Sequence, residues 1–285
     1  RAIPPGAFPI VFAASGGTAA AFKGIYERCN AKRWIILNQG EGNALSASLQ
    51  MATFLRERGA QFEILFGGAK EVAHRLKPYL GIMRALDELS GLRVGTIGKP
   101  SGWLIANDTD RAAMSSRFGL EFVDISLGEL EDAFHENSYE RNALSESILN
   151  KSFDETETQK ALALYGAMKR VCKRHGLGAV TVRCFDLLSS IKTSGCIALA
   201  LLNAEGVVAG CEGDMPSLVS MLLMQKLTGR PVFMCNSSRM DIEKNEMIFA
   251  HCTLPIDMAD SFSLTTHFES DSSRSEEHTS ELQSH

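Results

Sequence analysis

Acidic residues follow two apolar, strand-like segments in the second half of the sequence. Asp186 comes shortly after the segment 179–184, and Glu212 and Asp214 come directly after 207–211. In open α/β sheets, ligands bind beyond the carboxyl ends of the strands, so these three carboxylates would meet and repel one another. A divalent cation relieves that repulsion, and hard oxygen ligands suit Mg²⁺ or Mn²⁺. The spacing therefore indicates one candidate metal site.

The same residues also have a purely structural interpretation. Glu212 and Asp214 could cap the helix predicted to begin near Ser217, because negative charge is favourable at a helix N-terminus. Two histidines, His251 and His267, lie on later strand-like segments. They are alternative ligands or neighbours of the site, although a lone histidine on a strand is more often structural.

Strands and helices alternate along the segments that would position these groups. Predicted strands cover 9–14, 34–38, 61–66, 92–97, 120–125, 179–184, 207–211 and 231–235. Predicted helices cover 44–58, 69–89, 155–173, 198–202 and 217–227, identified by apolar residues at helical spacing. Because parallel neighbours need helical crossovers, this alternation predicts an α/β fold with mostly parallel sheets.

The order of these elements predicts several domains. We expect a first α/β domain at 1–90, a second at 91–240 that carries the acidic turns, and the start of a β-rich domain at 241–273. The β-rich part is predicted from strands at 247–253 and 261–268 with no helix between them. The polar segment 137–152 is predicted to be a mobile connection.

Both ends of the sequence are expected to be unnatural. Residues 274–285 read RSEEHTSELQSH, which matches the translation of a common sequencing-library adapter. We therefore leave this segment out of the fold prediction. The first residue is Arg1 rather than Met, so we expect the natural start to be missing as well.

Composition excludes several classes of protein. Hydrophobic residues make up 45% of the chain and charged residues 22%, with a formal net charge of -5, as in ordinary globular proteins. There is no basic patch with interleaved aromatic residues to suggest a nucleic-acid partner, and no apolar run long enough to span a membrane. The seven cysteines form no CxxC pair, so we expect buried, reduced thiols.

Glycine-rich turns offer weak alternatives. The segments SGGT at 15–18 and GTIGKPSG at 95–102 fit neither of the two common nucleotide-binding patterns. The nucleophile elbow GxSxG is absent, so the sequence gives no support to an α/β-hydrolase.

The stretch 179–255 resembles the catalytic region of the L-fucose isomerase and L-arabinose isomerase-like family. The resemblance rests on AVTVRCFDLL, on GVVAGCEGDMPSLVSMLLMQKLTGRPVFMCNSSRMD, on IFAHCTLP and on TTHFES, and less distinctively on the upstream SGGT and NQGEGNALSASLQMATFLRERG. It implies a cytoplasmic homo-oligomer with two Rossmann-like domains and a C-terminal β-rich domain. Such an enzyme interconverts an aldose, such as L-fucose or L-arabinose, with its ketose, using bound Mn²⁺ or another divalent cation such as Mg²⁺.

The resemblance also implies roles for individual residues. Asp186 corresponds to the first acidic metal ligand of the family, a position that is Glu in better-known members, and Asp214 corresponds to the second. Both are then catalytic candidates, because a cation stabilises the enediolate and a carboxylate can move the proton. Glu212 would lie beside the ligands. The family's histidine ligand, often in a Gly-Asn-His-His-like stretch, has no counterpart in the sequence, so we expect the fragment by itself to be inactive.

A different class of protein stays open at this point. A non-catalytic sugar-binding or sensor protein, built like the periplasmic binding proteins, would also have α/β lobes. Such a protein needs no metal and uses aromatic rings against the sugar, for which Trp34 and Trp103 are the only tryptophans. Dependence of sugar binding on a metal would separate the two classes.

Overall fold

The structure, a computed structural model, describes residues 9–29, 31–266 and 278–279. It confirms a mixed α/β fold with parallel sheets. The chain divides into two compact units, residues 1–87 and 88–285, which we describe separately. Among the residues described, no helix is both long and apolar enough to cross a membrane.

The first unit is a three-stranded parallel sheet with helices between the strands. Its elements are β1 (Ile10–Ala13), α1 (Thr18–Cys29), β2 (Arg33–Asn38), α2 (Ala44–Glu57), β3 (Gln61–Phe66) and α3 (Ala69–Leu89), and the strand order is β1-β2-β3. The central strand β2 is mostly buried, and its Trp34 ring meets Phe22 of α1 edge to face with centroids 4.9 Å apart. Aromatic and aliphatic side chains therefore fill the space between this sheet and its helices.

The second unit is built on a four-stranded parallel sheet. Its elements are β4 (Arg93–Ile97), α4 (Arg111–Phe118), β5 (Glu121–Ile125), α5 (Leu127–His135), α6 (Ala143–Leu149), α7 (Glu155–His175), β6 (Leu177–Val182), α8 (Cys184–Ser190), α9 (Cys196–Ala204), β7 (Val208–Gly210) and α10 (Met215–Thr228). The strand order is β5-β4-β6-β7, so the direction of winding reverses between β4 and β6. That reversal creates a crevice at the carboxyl ends of the two strands.

Helices α7 and α9 form the core on one face of this sheet. Every residue of α9 from Cys196 to Asn203 is buried, as expected for a helix that is apolar on all sides. In α7, Gly166 allows the chain at Ser138 and Tyr139 to cross closely, because an added Cβ would lie 2.1 Å from the Ser138 carbonyl oxygen. A larger residue at 166 would push this crossing segment off the helix.

An antiparallel hairpin follows the parallel sheet. It consists of β8 (Asn236–Asp241) and β9 (Glu246–Ala250), and nearly all of its residues are exposed. A single 3₁₀ turn at Ile256–Met258 comes next, and then β10 (Thr265–Thr266), which pairs with β11 (His278–Thr279).

Two predicted elements are wrong, and a third is displaced. The connection 137–152 contains α6, which is held by a capping box between Asn142 and Ser145 and buries Ile148. The predicted strand 231–235 has no strand pairing, and β8 begins only at Asn236. The strand predicted at 179–184 is displaced: β6 runs from Leu177 to Val182, and Cys184 already begins α8.

Candidate active site at the carboxyl ends of β4, β6 and β7

Three turns meet at the carboxyl edge of the sheet in the second unit. They are the loop 98–110 after β4, the turn 183–186 after β6 and the turn 211–214 after β7. The first two flank the point where the strand order reverses, and β7 is the next strand of the sheet. A ligand crevice in an open α/β sheet lies at such a point.

Backbone hydrogen bonds hold the three turns together. The Arg183 amide donates to the Ile97 carbonyl at 3.0 Å, which joins the ends of β6 and β4. The Gly213 amide donates to the Val182 carbonyl at 3.0 Å, which joins the turn after β7 to the end of β6. The loop closes onto the same turn through the Ser101 amide, which donates to a carbonyl of the 211–214 turn at 2.9 Å.

Gly213 is the position where two of these turns come closest. Its φ of +70° lies in the left-handed region, and an added Cβ would lie 2.8 Å from both the Lys99 carbonyl oxygen and the Pro100 Cα. Only glycine fits such a conformation and such a close backbone approach without strain. The glycine of the CEGD turn is thus required for the contact between the turn and the loop.

Asp186 lies in the first turn of α8 and forms an ion pair. Its Oδ1 accepts a hydrogen bond from Arg183 Nε at 2.9 Å, and the two side chains are 44% and 31% exposed. Arg183 also donates from Nη1 to the Pro100 carbonyl at 3.2 Å. The guanidinium therefore links the Asp186 carboxylate to the loop after β4, at an edge that solvent reaches.

Asp214 is the N-cap of α10. Its Oδ1 accepts from the Ser217 amide at 2.9 Å, and its Oδ2 accepts from the Ser217 hydroxyl at 2.8 Å. Asn107, from the loop after β4, accepts from the Met215 amide and donates to the Gly213 carbonyl. The capping interpretation of the acidic turn is therefore correct for Asp214, whose carboxylate is held in one orientation.

Glu212, unlike Asp214, is not the N-cap of α10 and instead contacts a tryptophan. Its backbone is left-handed, with φ of 62°, a conformation that is uncommon for residues other than glycine. Its Oε2 accepts a hydrogen bond from Trp103 Nε1 at 2.8 Å. The Trp103 ring in turn meets Phe185 edge to face, with centroids 5.1 Å apart. Glu212 thus positions an indole that is 56% exposed at the mouth of the site.

The loop 98–110 belongs to the site, and the sequence analysis did not include it. Its Ser101 is buried, and the Ser101 hydroxyl has no hydrogen-bond partner among the described residues. Trp103 and Asn107 contact the CEGD turn directly. The sequence does carry a signal for this loop, because its polar residues follow a predicted strand just as Asp186 and Asp214 do.

Of the two candidate histidines, one lies within the described residues. His251 follows β9, and its Nδ1 lies 2.8 Å from the Thr253 hydroxyl and 3.8 Å from the Cys252 sulfur. His267 lies outside the described residues.

The described residues do not by themselves build a metal site. Asp186 and Asp214 offer the carboxylate oxygens that Mn²⁺ and Mg²⁺ prefer. However, within the described ranges, no three His, Cys, Asp or Glu side chains are placed to hold a metal ion together. The donor chemistry fits a divalent cation and the number of donors does not, so a metal role for these two residues stays a prediction.

Comparison with known proteins shows similarity to sugar isomerases. No protein-family profile matches the chain. The chain is 23% identical over 219 residues to the sulfoquinovose isomerase of Alkalicoccus urumqiensis, 26% over 221 residues to that of Clostridium sp. (strain MSTE9), and 26% over 225 residues to that of Priestia megaterium. Each match covers 74% of this chain and 49% of the relative. The chain thus spans about half the length of the curated relatives it matches, and these are named for a sugar other than L-fucose or L-arabinose.

Proposed function

We propose that this protein is an aldose–ketose isomerase and that the three interlocked turns of the second unit form part of its active site. The observation that supports the proposal is the position of Asp186 and Asp214 on turns that follow the neighbouring parallel strands β6 and β7, beside the point where the strand order reverses. The similarity to sulfoquinovose isomerases supports the reaction class.

The reaction gives these carboxylates distinct tasks. Interconversion of an aldose and its ketose moves a proton between two adjacent carbon atoms, and a carboxylate within hydrogen-bond reach can remove and return it. Asp186 engages one oxygen with Arg183 at an accessible edge, so we assign the proton transfer to it. Asp214 engages both oxygens with Ser217, so we assign it the task of holding a ligand in a fixed position.

We also propose that a divalent cation, Mn²⁺ or Mg²⁺, takes part, with Asp186 and Asp214 among its ligands. When bound, such a cation would supply Lewis-acid stabilisation of the charge that develops on the substrate oxygens. Further ligands would have to come from beyond the described residues. Calorimetry that measures Mn²⁺ binding to the purified wild-type protein and to the Asp214→Asn variant tests this proposal without any activity assay.

The substrate that we propose to test first is sulfoquinovose, which differs from L-fucose and L-arabinose in carrying a sulfonate group. A sulfonate needs cationic or hydrogen-bonding groups near the sugar. Arg183 and Lys99 are cations on two of the three turns, and Trp103, on the same loop as Lys99, contacts Glu212 and Phe185. L-fucose and L-arabinose stay in the panel, because the sequence resemblance points to them.

The experiment uses the protein encoded by the natural gene, expressed from its own start to its own stop codon. Each sugar is incubated in D₂O with Mn²⁺ or with EDTA, and the products are followed by NMR. An enediol route exchanges the transferred hydrogen with solvent, so deuterium should appear beside the carbonyl only when interconversion occurs. Tight sugar binding that needs no metal and produces no ketose would instead identify a sugar-binding protein.

A pair of variants separates the proposed role of Asp214 in the reaction from its role as a helix N-cap. Asp214→Asn keeps an oxygen that can accept from the Ser217 amide, so the helix cap is largely preserved. We expect this variant to lose activity by at least about 100-fold, because the ligand is no longer held in its reactive position, while the fold stays stable. Asp154 caps α7 in the same way, accepting from the Glu157 amide at 3.1 Å. Asp154→Asn is therefore the matched control, and we expect it to keep nearly full activity. Full activity of Asp214→Asn would exclude the assigned role.

A further inference from the structure

Four cysteines that share no sequence motif are gathered behind the candidate site. Cys184, Cys196, Cys211 and Cys252 are all at least 90% buried. The sulfur atoms of Cys184 and Cys211 are 2.8 Å apart, and those of Cys196 and Cys252 are 3.1 Å apart. The two pairs also touch each other, since the environment of the Cys211 thiol includes both Cys196 and Cys252.

Two of these thiols, Cys196 and Cys211, are held in their neutral form. Hydrogen bonding to Cys252, followed by burial, raises the pKa of the Cys196 thiol well above its usual value. Hydrogen bonds to Cys184 and Cys252, followed by burial, raise the pKa of Cys211 in the same way. Four reduced cysteines packed together form a cluster that either a soft metal or oxidation could change.

The sulfur–sulfur separations favour oxidation over metal binding. In a tetrahedral zinc–thiolate site, Zn–S bonds of about 2.3 Å place the sulfur atoms about 3.8 Å apart. The separations of 2.8 and 3.1 Å are shorter than this and leave no space for an ion between the paired atoms. They also divide the cluster into two close pairs rather than one even tetrahedron. Two close pairs are the arrangement expected of two dithiols.

The backbone supports the closer pair. Strands β6 and β7 are parallel neighbours, with Thr181 opposite Gly210, and Cys211 follows Gly210 directly. Adjacent strands are about 4.8 Å apart. Cys184 begins α8 two residues after the end of β6, so both cysteines lie just beyond the ends of neighbouring strands.

We propose that Cys184 and Cys211 are a reversible oxidation site that forms a disulfide bond, with hydrogen peroxide as the two-electron oxidant. The Cys184 sulfur, as thiolate, attacks a peroxide oxygen, which gives a sulfenic acid and releases one water after protonation. The Cys211 sulfur then attacks the sulfenic sulfur, forms the S–S bond and releases a second water. Two thiols and one peroxide thus yield one disulfide and two waters.

Cys184 is the thiol that we assign to the first step because it borders a small cavity. The cavity is also lined by Phe185, Ser194 and Cys196, and has a volume of about 10 Å³, the space of roughly one water molecule. Cys184 is therefore the thiol of the closer pair that has free space beside it.

The bond would connect the two turns that carry the candidate carboxylates. Cys184 lies two residues before Asp186, and Cys211 lies three residues before Asp214. Oxidation would therefore fix the separation of these turns, whatever reaction the site performs. The inference does not depend on the proposed function, and its test uses no substrate.

The test is disulfide mapping on the wild-type protein. The protein is treated with hydrogen peroxide, free thiols are alkylated in denaturant, and trypsin is used together with a protease that cuts after glutamate. Trypsin releases Cys184 at the start of CFDLLSSIK, and cleavage after Glu205 separates Cys196 from Cys211. We expect joined peptides containing Cys184 and Cys211, lighter by two hydrogens than their sum, that dithiothreitol separates again.

Variants and thermal stability complete the test. The joined peptides should disappear in Cys184→Ser and persist in Cys172→Ser, whose target is a buried thiol in α7 outside the cluster. Cys172 is as buried as Cys184, and this burial raises the pKa of the Cys172 thiol to about 12. The control therefore removes an equally buried thiol. Oxidised wild type should melt roughly 5–15 °C above the reduced protein, because the bond restricts the unfolded chain.

Three outcomes would overturn the proposal. One is full alkylation of all four cluster thiols after peroxide treatment at alkaline pH. A second is cross-linking of Cys196 to Cys252 without any Cys184–Cys211 product. The third is a stoichiometric metal in the purified protein that protects the cluster from peroxide. The mapping and melting of wild type decide the question even if the Cys184→Ser variant fails to fold.

Discussion

The Gly213→Ala substitution should destabilise the second unit by more than the left-handed backbone conformation of residue 213 alone explains. The φ of Gly213 is +70°, where alanine costs about 1 kcal/mol relative to glycine. The added methyl would also lie 2.8 Å from the Lys99 carbonyl oxygen and from the Pro100 Cα, where ordinary contacts begin near 3.4 Å. Both atoms belong to the backbone, so the loop itself must move, at a cost of about 1–3 kcal/mol. The total loss should be about 2–4 kcal/mol.

Gly229 provides a matched control for the backbone term. It ends α10 with φ of +69°, and no atom lies within 4 Å of an added Cβ. Gly229→Ala should therefore lose only about 1 kcal/mol. The difference between the two variants, about 1–3 kcal/mol, measures the close approach between the turn and the loop.

The assay is urea unfolding followed by circular dichroism, with the slopes of the transitions compared as well as their midpoints. In thermal melts the same difference corresponds to about 2–12 °C for a unit of this size. If the two alanine variants were equally stable, the loop would not be packed against the turn, and the site geometry described above would be wrong.

Two other predictions concern groups outside the three turns. Asn203→Leu should cost about 2–5 kcal/mol in urea unfolding, because the buried Asn203 side chain bonds both the amide and the carbonyl of Ala209. In melts from pH 7 to pH 3, wild type should be more stable than Glu129→Gln above about pH 4 and lose that advantage below it. Hydrogen bonds from His175 and Arg174 lower the pKa of Glu129, so its stabilisation is present when the carboxyl is ionised and disappears on protonation.

Each of these two predictions has a result that would contradict it. A loss below about 1 kcal/mol in Asn203→Leu would mean that β7, at the edge of the sheet, does not rely on this amide for its outer hydrogen bonds. A stability difference between wild type and Glu129→Gln that stayed constant down to pH 3 would mean that pairing with His175 and Arg174 contributes nothing in the folded state.

Local patterns in the sequence were sufficient for most of the secondary structure. The strand 61–66 and the helix 69–89 were predicted with the bounds that the structure has. Hydrophobic periodicity is fixed by backbone geometry over a few residues, so it can be read locally. The errors fall on short elements: α6 and α8 have seven residues each, and helices of that length depend on caps and packing more than on propensity.

The candidate carboxylates could be named from the sequence because each follows a strand. The loop that completes the site could not be, because its place depends on β4 lying next to β6 rather than only next to β5. Strand order is decided by packing over the whole sheet and its helices, not by the residues that flank one strand. Trp103 and Asn107 therefore became part of the site only in the tertiary structure.

The cysteines show most clearly which features the sequence predicts and which only the tertiary structure decides. The sequence by itself established seven cysteines without a pairing motif and predicted buried thiols. Burial is confirmed for five of them, Cys29 is only partly buried, and the prediction is wrong for Cys235, which is exposed. Nothing in their spacing distinguishes Cys184, Cys196, Cys211 and Cys252 from the others. Only the folded sheet brings these four together, because neighbouring strand ends and the chain after β9 converge there. Burial of thiols follows from local hydrophobicity, whereas their contacts require the long-range packing that sets strand order.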